Sequence, residues 1–98
     1  MKITKTVNES KLILELDGKL DTRSAPEFQR YAESSLDGIS AITLNFAKLT
    51  YMSSVGLSIL LTLKKKLGPA GTLQIINAHG LVREVFEISG FDDLLAKK

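Results

Sequence analysis

The chain has 98 residues, of which 44% are apolar, with 13 basic against 11 acidic residues and no cysteine. That length and apolar content suit one domain with an ordinary core, read here as residues 1–98. A net charge of +2 is too small to point to nucleic acid, the missing cysteines exclude disulfides and thiolate metal sites, and no apolar run approaches the roughly 20 residues that cross a bilayer.

The opening residues Met1-Lys2-Ile3-Thr4-Lys5 lack the apolar region of a secretory signal, so a soluble cytoplasmic protein is expected. Ile3 and Val7 sit at strand-compatible spacing, and Asn8-Glu9-Ser10-Lys11 reads as a turn. Leu12, Leu14 and Leu16 then alternate with other residues, the period-two signature of a second strand. The hairpin is expected to end at Asp17-Gly18, a pair suited to a turn or to a strand distortion.

Ser24 followed by Glu27 matches a capping box, and Pro26 fits a first helical turn. Ala25, Phe28, Ala32 and Leu36, with Tyr31, form one helical stripe, and Asp37-Gly38 is expected to end the helix. Ile42, Leu44 and Phe46 define a third strand over 41–46. After Tyr51-Met52-Ser53-Ser54-Val55-Gly56-Leu57, a helix is predicted to bury Gly56, Ile59, Leu60, Leu63 and Leu67, with Leu57 and Leu61 just outside that arc. Gly68-Pro69-Ala70-Gly71 stops it. Its basic end, Lys64-Lys65-Lys66, and the tail pair Lys97-Lys98 are the nearest thing to a cationic patch. Three consecutive helical residues point in three directions, so they form no single face for nucleic acid.

Thr72 to Ile76 is a β-branched strand and Asn77-Ala78-His79-Gly80 a loop. Leu81, Val82, Val85, Phe86 and Ile88 mark a short amphipathic helix closed by Ser89-Gly90, and Phe91, Leu94 and Leu95 a last helical turn. The order ββαβαβα predicts an α/β fold with a mixed sheet.

Catalytic chemistry has little to work with. A serine nucleophile needs a base, and nothing in the sequence places His79, the single histidine, beside Ser54. There is no phosphate loop, no dinucleotide fingerprint and too few ligands for a metal. The chain is therefore expected not to be an enzyme and to need no cofactor or metal.

The hydroxyl pair Ser53-Ser54 stands where a strand turns into a helix. Free backbone N–H groups and the positive end of the helix dipole lie there. Such hydroxyls can cap the helix, bind an anion or become an anion by phosphorylation, and the residues alone leave these open. Gly56 in the first turn costs about 1 kcal/mol relative to alanine, which suits a close approach by a neighbouring strand or by a partner.

The stretch from Tyr51 to Leu57 resembles the signature of STAS domains, specifically bacterial anti-sigma-factor antagonists: an aromatic, an aliphatic, Asp, Ser, a small residue, Gly and Leu. Gly18-Lys19-Leu20-Asp21 is similar to the family's segment after the second strand, and Phe86-Glu87-Ile88-Ser89-Gly90-Phe91 to its closing helix and Gly-aromatic turn. The resemblance implies a single-layer mixed sheet of about four strands with helices mainly on one face. It implies that an anti-sigma factor with serine kinase activity binds the unphosphorylated chain, phosphorylates Ser54 and lets go, and that a serine phosphatase resets the cycle.

Ser53 stands at the family's Asp, which leaves Ser53 as an alternative acceptor; Val55 stands at the small residue and Asn45 where an Asp is frequent. The expected docking surface is Asp21, Thr22, Ser53, Ser54, Val55, Gly56, Leu57, Ser58 and Leu61, on a monomer or weak dimer. The competing expectation is a STAS module without a phosphorylation cycle, binding a nucleotide or lipid or serving as a subunit of a transport or signalling complex. A hydrolase using Ser54 ranks behind both, for want of a base.

Overall fold

The computed structural model describes residues 1–95, so the Lys97-Lys98 pair lies outside the described residues. The elements run β1 (Lys2–Asn8), β2 (Lys11–Leu20), α1 (Ala25–Ser34), β3 (Ala41–Met52), α2 (Ser54–Leu67), β4 (Thr72–Ile76) and α3 (Gly80–Ser89), followed by a 3₁₀ turn at Asp92–Leu94. The strands lie side by side in the order β1-β2-β3-β4. β1 is antiparallel to β2, whereas β2, β3 and β4 are parallel. The mixed sheet and the ββαβαβα order are those expected.

Strand register builds the core. Leu12 faces Ile42 and Ile42 faces Leu73; one step on, Leu14, Leu44 and Ile75 form the next row. All six are buried, in one cluster with Phe28 and Ala32 of α1, Leu60 and Leu63 of α2, and Val82 and Phe86 of α3. The helices therefore cover a single face. The other face carries polar cross-strand pairs, among them Gln74 Nε2 donating to Thr43 Oγ1 at 3.3 Å and Asn77 Nδ2 to Asn45 Oδ1 at 3.0 Å.

β2 and β3 run further than the sequence pattern predicts, to Leu20 and Met52. Glu15 faces Asn45 but Asp17 faces Lys48; Gly18 faces Leu49 but Lys19 faces Tyr51. β3 thus holds two residues more than β2 over the same length. Each extra residue turns the following side chains to the opposite face. The buried positions of β3 consequently fall at Phe46, Leu49 and Met52, three apart. That spacing hides a strand from a search for alternation.

Both ends of α1 depart from expectation. The Ser24–Glu27 capping box does not form, because Ser24 is already helical at φ −88°, ψ −20°. Its hydroxyl donates to the Lys19 carbonyl at 2.7 Å and accepts from the Asp21 N–H at 3.0 Å. Asp21 does the capping: Oδ1 accepts the N–H groups of Arg23 and Ser24 at 3.0 and 3.1 Å. At the far end α1 stops at Ser34, short of Asp37-Gly38. The hydroxyls of Ser34 and Ser35 both donate to the Tyr31 carbonyl, at 2.8 and 2.9 Å, competing with helical N–H groups for it.

Candidate functional site

The two extra residues of β3 carry its end alongside the end of β2. Leu20 faces Met52, and the next N–H, from Ser53, donates to the Leu20 carbonyl at 3.0 Å. The segments Asp21-Thr22 and Ser53-Ser54 therefore leave the sheet as neighbours. α2 starts at Ser54, and its first helical bond runs from the Leu57 N–H to the Ser53 carbonyl at 3.3 Å. The N–H groups of Ser54, Val55 and Gly56 precede that bond and have no intrahelical acceptor. No acidic side chain occupies the first turn of α2. The positive end of this helix is thus uncompensated by its own residues.

The two serines are not equivalent. Ser53 is the N-cap residue, at φ −92°, ψ 171°, yet its side chain makes no capping bond. Its Oγ is sealed from solvent without a hydrogen-bond partner. Ser54 is exposed. Ser53→Ala removes a hydroxyl that does no capping, so stability is expected to stay level or rise by up to about 1 kcal/mol. A urea titration showing instead the loss of about 1 kcal/mol that follows from removing a working cap would contradict this.

Gly56 is explained by packing. A Cβ placed there would meet Met52 Cγ at 2.9 Å and Leu20 Cγ and Cδ2 at 3.0 Å. The first turn of α2 rests directly on the ends of β2 and β3, so the close approach belongs to neighbouring strands.

The remaining residues of the expected surface divide. Thr22, Val55 and Ser58 are exposed and Leu61 is half-buried. Leu57 is 5% exposed and belongs to the core cluster, so its side chain offers nothing to a partner. The core arc of α2 is wider than Gly56, Ile59, Leu60 and Leu63 alone; it takes in Leu57 and leaves Leu67 partly exposed. The accessible strip runs Ser54, Val55, Ser58, Leu61. Tyr51, one step before the end of β3, is 41% exposed, and as the strand neighbour of the buried Met52 it belongs to the opposite face of the sheet.

Asp21 is drawn into its own loop. Its carboxyl is held below the ordinary value of 3.8, first by the Ser24 N–H, then by the Arg23 N–H, the Ser24 hydroxyl and the Arg23 charge, with burial opposing. A carboxyl whose folded pKa is depressed adds stability above the unfolded pKa and loses it as pH falls through the folded value. Asp21 is therefore ionised throughout the neutral range. A carboxyl-carbon NMR titration should give it a midpoint below 3.8, and Asp21→Asn should remove the acid-induced part of the destabilisation assigned to this loop. A midpoint at or above that value would overturn the assignment. Ser24 is the residue here that sequence reasoning misplaced; the signal was present as Asp21 three residues before Ser24, an N-cap spacing one turn earlier than the one chosen.

The single histidine lies elsewhere. His79 is the N-cap residue of α3, with Nε2 3.1 Å from the Ala47 carbonyl oxygen. Among the described residues no three His, Asp or Glu side chains gather into a metal site, and no helix is long and apolar enough to cross a membrane.

An open four-stranded mixed sheet, helices on one face and an exposed serine opening the helix after β3 define a small α/β module of one recognisable class. The chain belongs to the STAS domain family, whose model matches residues 2–98. It is 34% identical over 93 residues, 93% of this chain and 80% of the relative, to a Bordetella bronchiseptica protein named as an anti-sigma factor antagonist, BtrV. Its fold is similar to that of the anti-sigma factor antagonist SpoIIAA in its unphosphorylated form, with a TM-score of 0.86 at 23% identity over 99% of this chain and 88% of that one. SpoIIAA from Bacillus in its phosphorylated form superimposes with a TM-score of 0.78 at 22% identity, over 99% and 91% of the two chains.

Proposed function

We propose that this chain is an anti-sigma-factor antagonist that switches partners by phosphorylation of Ser54. In this reading it acts in the cytoplasm without catalytic activity of its own. Unphosphorylated, it binds an anti-sigma factor that is also a serine kinase; phosphorylated, it is released, and a serine phosphatase restores it. The observation that carries the proposal is the position of Ser54, exposed as the first residue of α2, on a chain related to a protein named as such an antagonist. The sealed hydroxyl of Ser53 favours Ser54 as the acceptor.

The chemistry of the helix mouth is consistent with the cycle. A phosphoryl group adds about −1.5 to −2 charge at neutral pH. The unpaired N–H groups and uncompensated dipole of α2 favour an anion at that point, so the domain tolerates the modification. A partner surface fitted to a neutral hydroxyl does not. The ionised Asp21 carboxylate, on the neighbouring segment, adds negative charge to the same surface.

Incubation with the anti-sigma kinase and ATP, followed by mass spectrometry of proteolytic fragments, tests this. The expected result is one phosphate, on Ser54, and none on Ser54→Ala. Phosphate on Ser53 would move the switch by one residue; phosphate on neither would end the proposal.

A further inference from the structure

We propose that a second copy of this chain docks against the first, with the exposed apolar strip of α3 seated in a hollow at the end of α2. On α3, Ile88 is 85% exposed and Leu81 62% exposed, with the half-buried Val85 between them. Positions 81, 85 and 88 lie on one side of a helix. Glu84 belongs to the same side, and Asp92 and Asp93 follow at the helix's end. Among the described residues none of these three carboxylates has an ion pair; Glu87, by contrast, is paired with Arg83 at 3.4 Å.

The complement is on α2. An open hollow of about 530 Å³ is lined by Leu61, Thr62, Lys64, Lys65, Gly68 and Pro69. Lys66 is engaged with Glu33 at 3.8 Å, whereas Lys64 and Lys65 have no ion pair among the described residues. An apolar hollow rimmed by ammonium groups thus matches, in polarity and sign, an apolar strip flanked by Glu84 and followed by Asp92 and Asp93 on the same chain. Pairing α3 with α3 about a two-fold axis instead would bring Glu84, at the middle of the strip, close to its own copy, which like-charge repulsion opposes, and would leave the ammonium-rimmed hollow uncovered. The strip exposes far less than the ~800 Å² per partner of a stable interface, so the association is weak and belongs to high concentration. Lys64 lies ten residues beyond Ser54, about 15 Å along the helix axis, so the ammonium rim is remote from the switch, and Leu61 is the one residue that the hollow shares with the accessible strip of α2.

Sedimentation equilibrium of the full chain, from low micromolar to millimolar concentration, tests the pairing with two variants. Leu81→Ser with Ile88→Ser removes the strip, and Lys64→Glu with Lys65→Glu reverses the rim of the hollow. All four side chains are exposed, so neither variant loses core packing; the Leu81/Ile88 variant is expected to melt close to the wild type, and the Glu pair, set at the negative end of the α2 dipole, a few degrees lower but still folded at room temperature. The wild-type average mass should rise with concentration above the 10.7 kDa of one chain, less so in molar salt, where screening reaches ~3 Å. Each variant alone should stay at the mass of one chain, because each has lost one half of the contact. An equal mixture of the two should again form complexes, since each supplies the half that the other lacks. A wild type that remains single throughout the range overturns the proposal; so do variants that associate like the wild type, and so does a mixture that shows no complex.

Discussion

Ser54→Asp is expected to weaken binding to the anti-sigma partner by about 100-fold, roughly 3 kcal/mol, while Ser54→Ala binds like the wild type. Ser54 is exposed and nothing in the fold depends on its hydroxyl, so Ser54→Ala should unfold close to the wild-type denaturant concentration and Ser54→Asp at or slightly above it, since the start of α2 favours an anion. The difference between them isolates charge, because each alters the side chain and one alone adds a negative group. Calorimetric titration of each variant into the purified partner measures it. Equal affinities would rule out charge as the mechanism, whatever the fate of phosphate in the cell.

Gly56→Val is expected to cost about 3 kcal/mol of folding stability. Overpacking a fitted contact costs about 1–3 kcal/mol, and valine adds two further methyl groups beyond a Cβ that already has no room. Losing glycine's flexibility returns at most about 1 kcal/mol. The atoms in the way, Met52 Cγ and Leu20 Cγ, are mid-chain carbons within the core, which leaves them little room to yield. For a domain stable by about 5–15 kcal/mol this is a large fraction. Urea unfolding should show a lower midpoint at an unchanged slope. A valine variant as stable as wild type would mean that Gly56 makes room for a partner and not for the strand ends.

The parts of this fold legible in the sequence are those where one periodicity runs uninterrupted. Leu12-Leu14-Leu16 and Ile42-Leu44-Phe46 alternate and are strands; Phe28-Ala32 and Ile59-Leu60-Leu63 repeat at helical spacing and are helices. The second half of β3 was not legible, since two bulges turn its buried positions into Phe46, Leu49 and Met52, a spacing that belongs to neither period. Those bulges also bring Leu20-Asp21 to Met52-Ser53, so the pairing of segments at the site could be read only through family resemblance. The start of α1 was misjudged because Ser24 offers two capping patterns and the backbone takes the one led by Asp21. Leu57 was misjudged because a helix lying across two strand ends buries a wider arc than the narrow stripe assumed for it.

The inequality between Ser53 and Ser54 lay beyond sequence altogether. Adjacent hydroxyls look alike in a string of letters, and only the extended backbone at Ser53 turns one of them inward while α2 presents the other to solvent. On that difference rests the account of a switch that changes binding without disturbing packing.

The most direct measurement uses the phosphorylated chain itself. The protein is phosphorylated to completion on Ser54 and compared with the unmodified form in two ways on the same preparation: titration against the anti-sigma partner and thermal unfolding. The account predicts that binding is lost while the melting temperature is unchanged or slightly raised. Retained binding would contradict it, and so would a phosphorylated domain that unfolds well below the unmodified one.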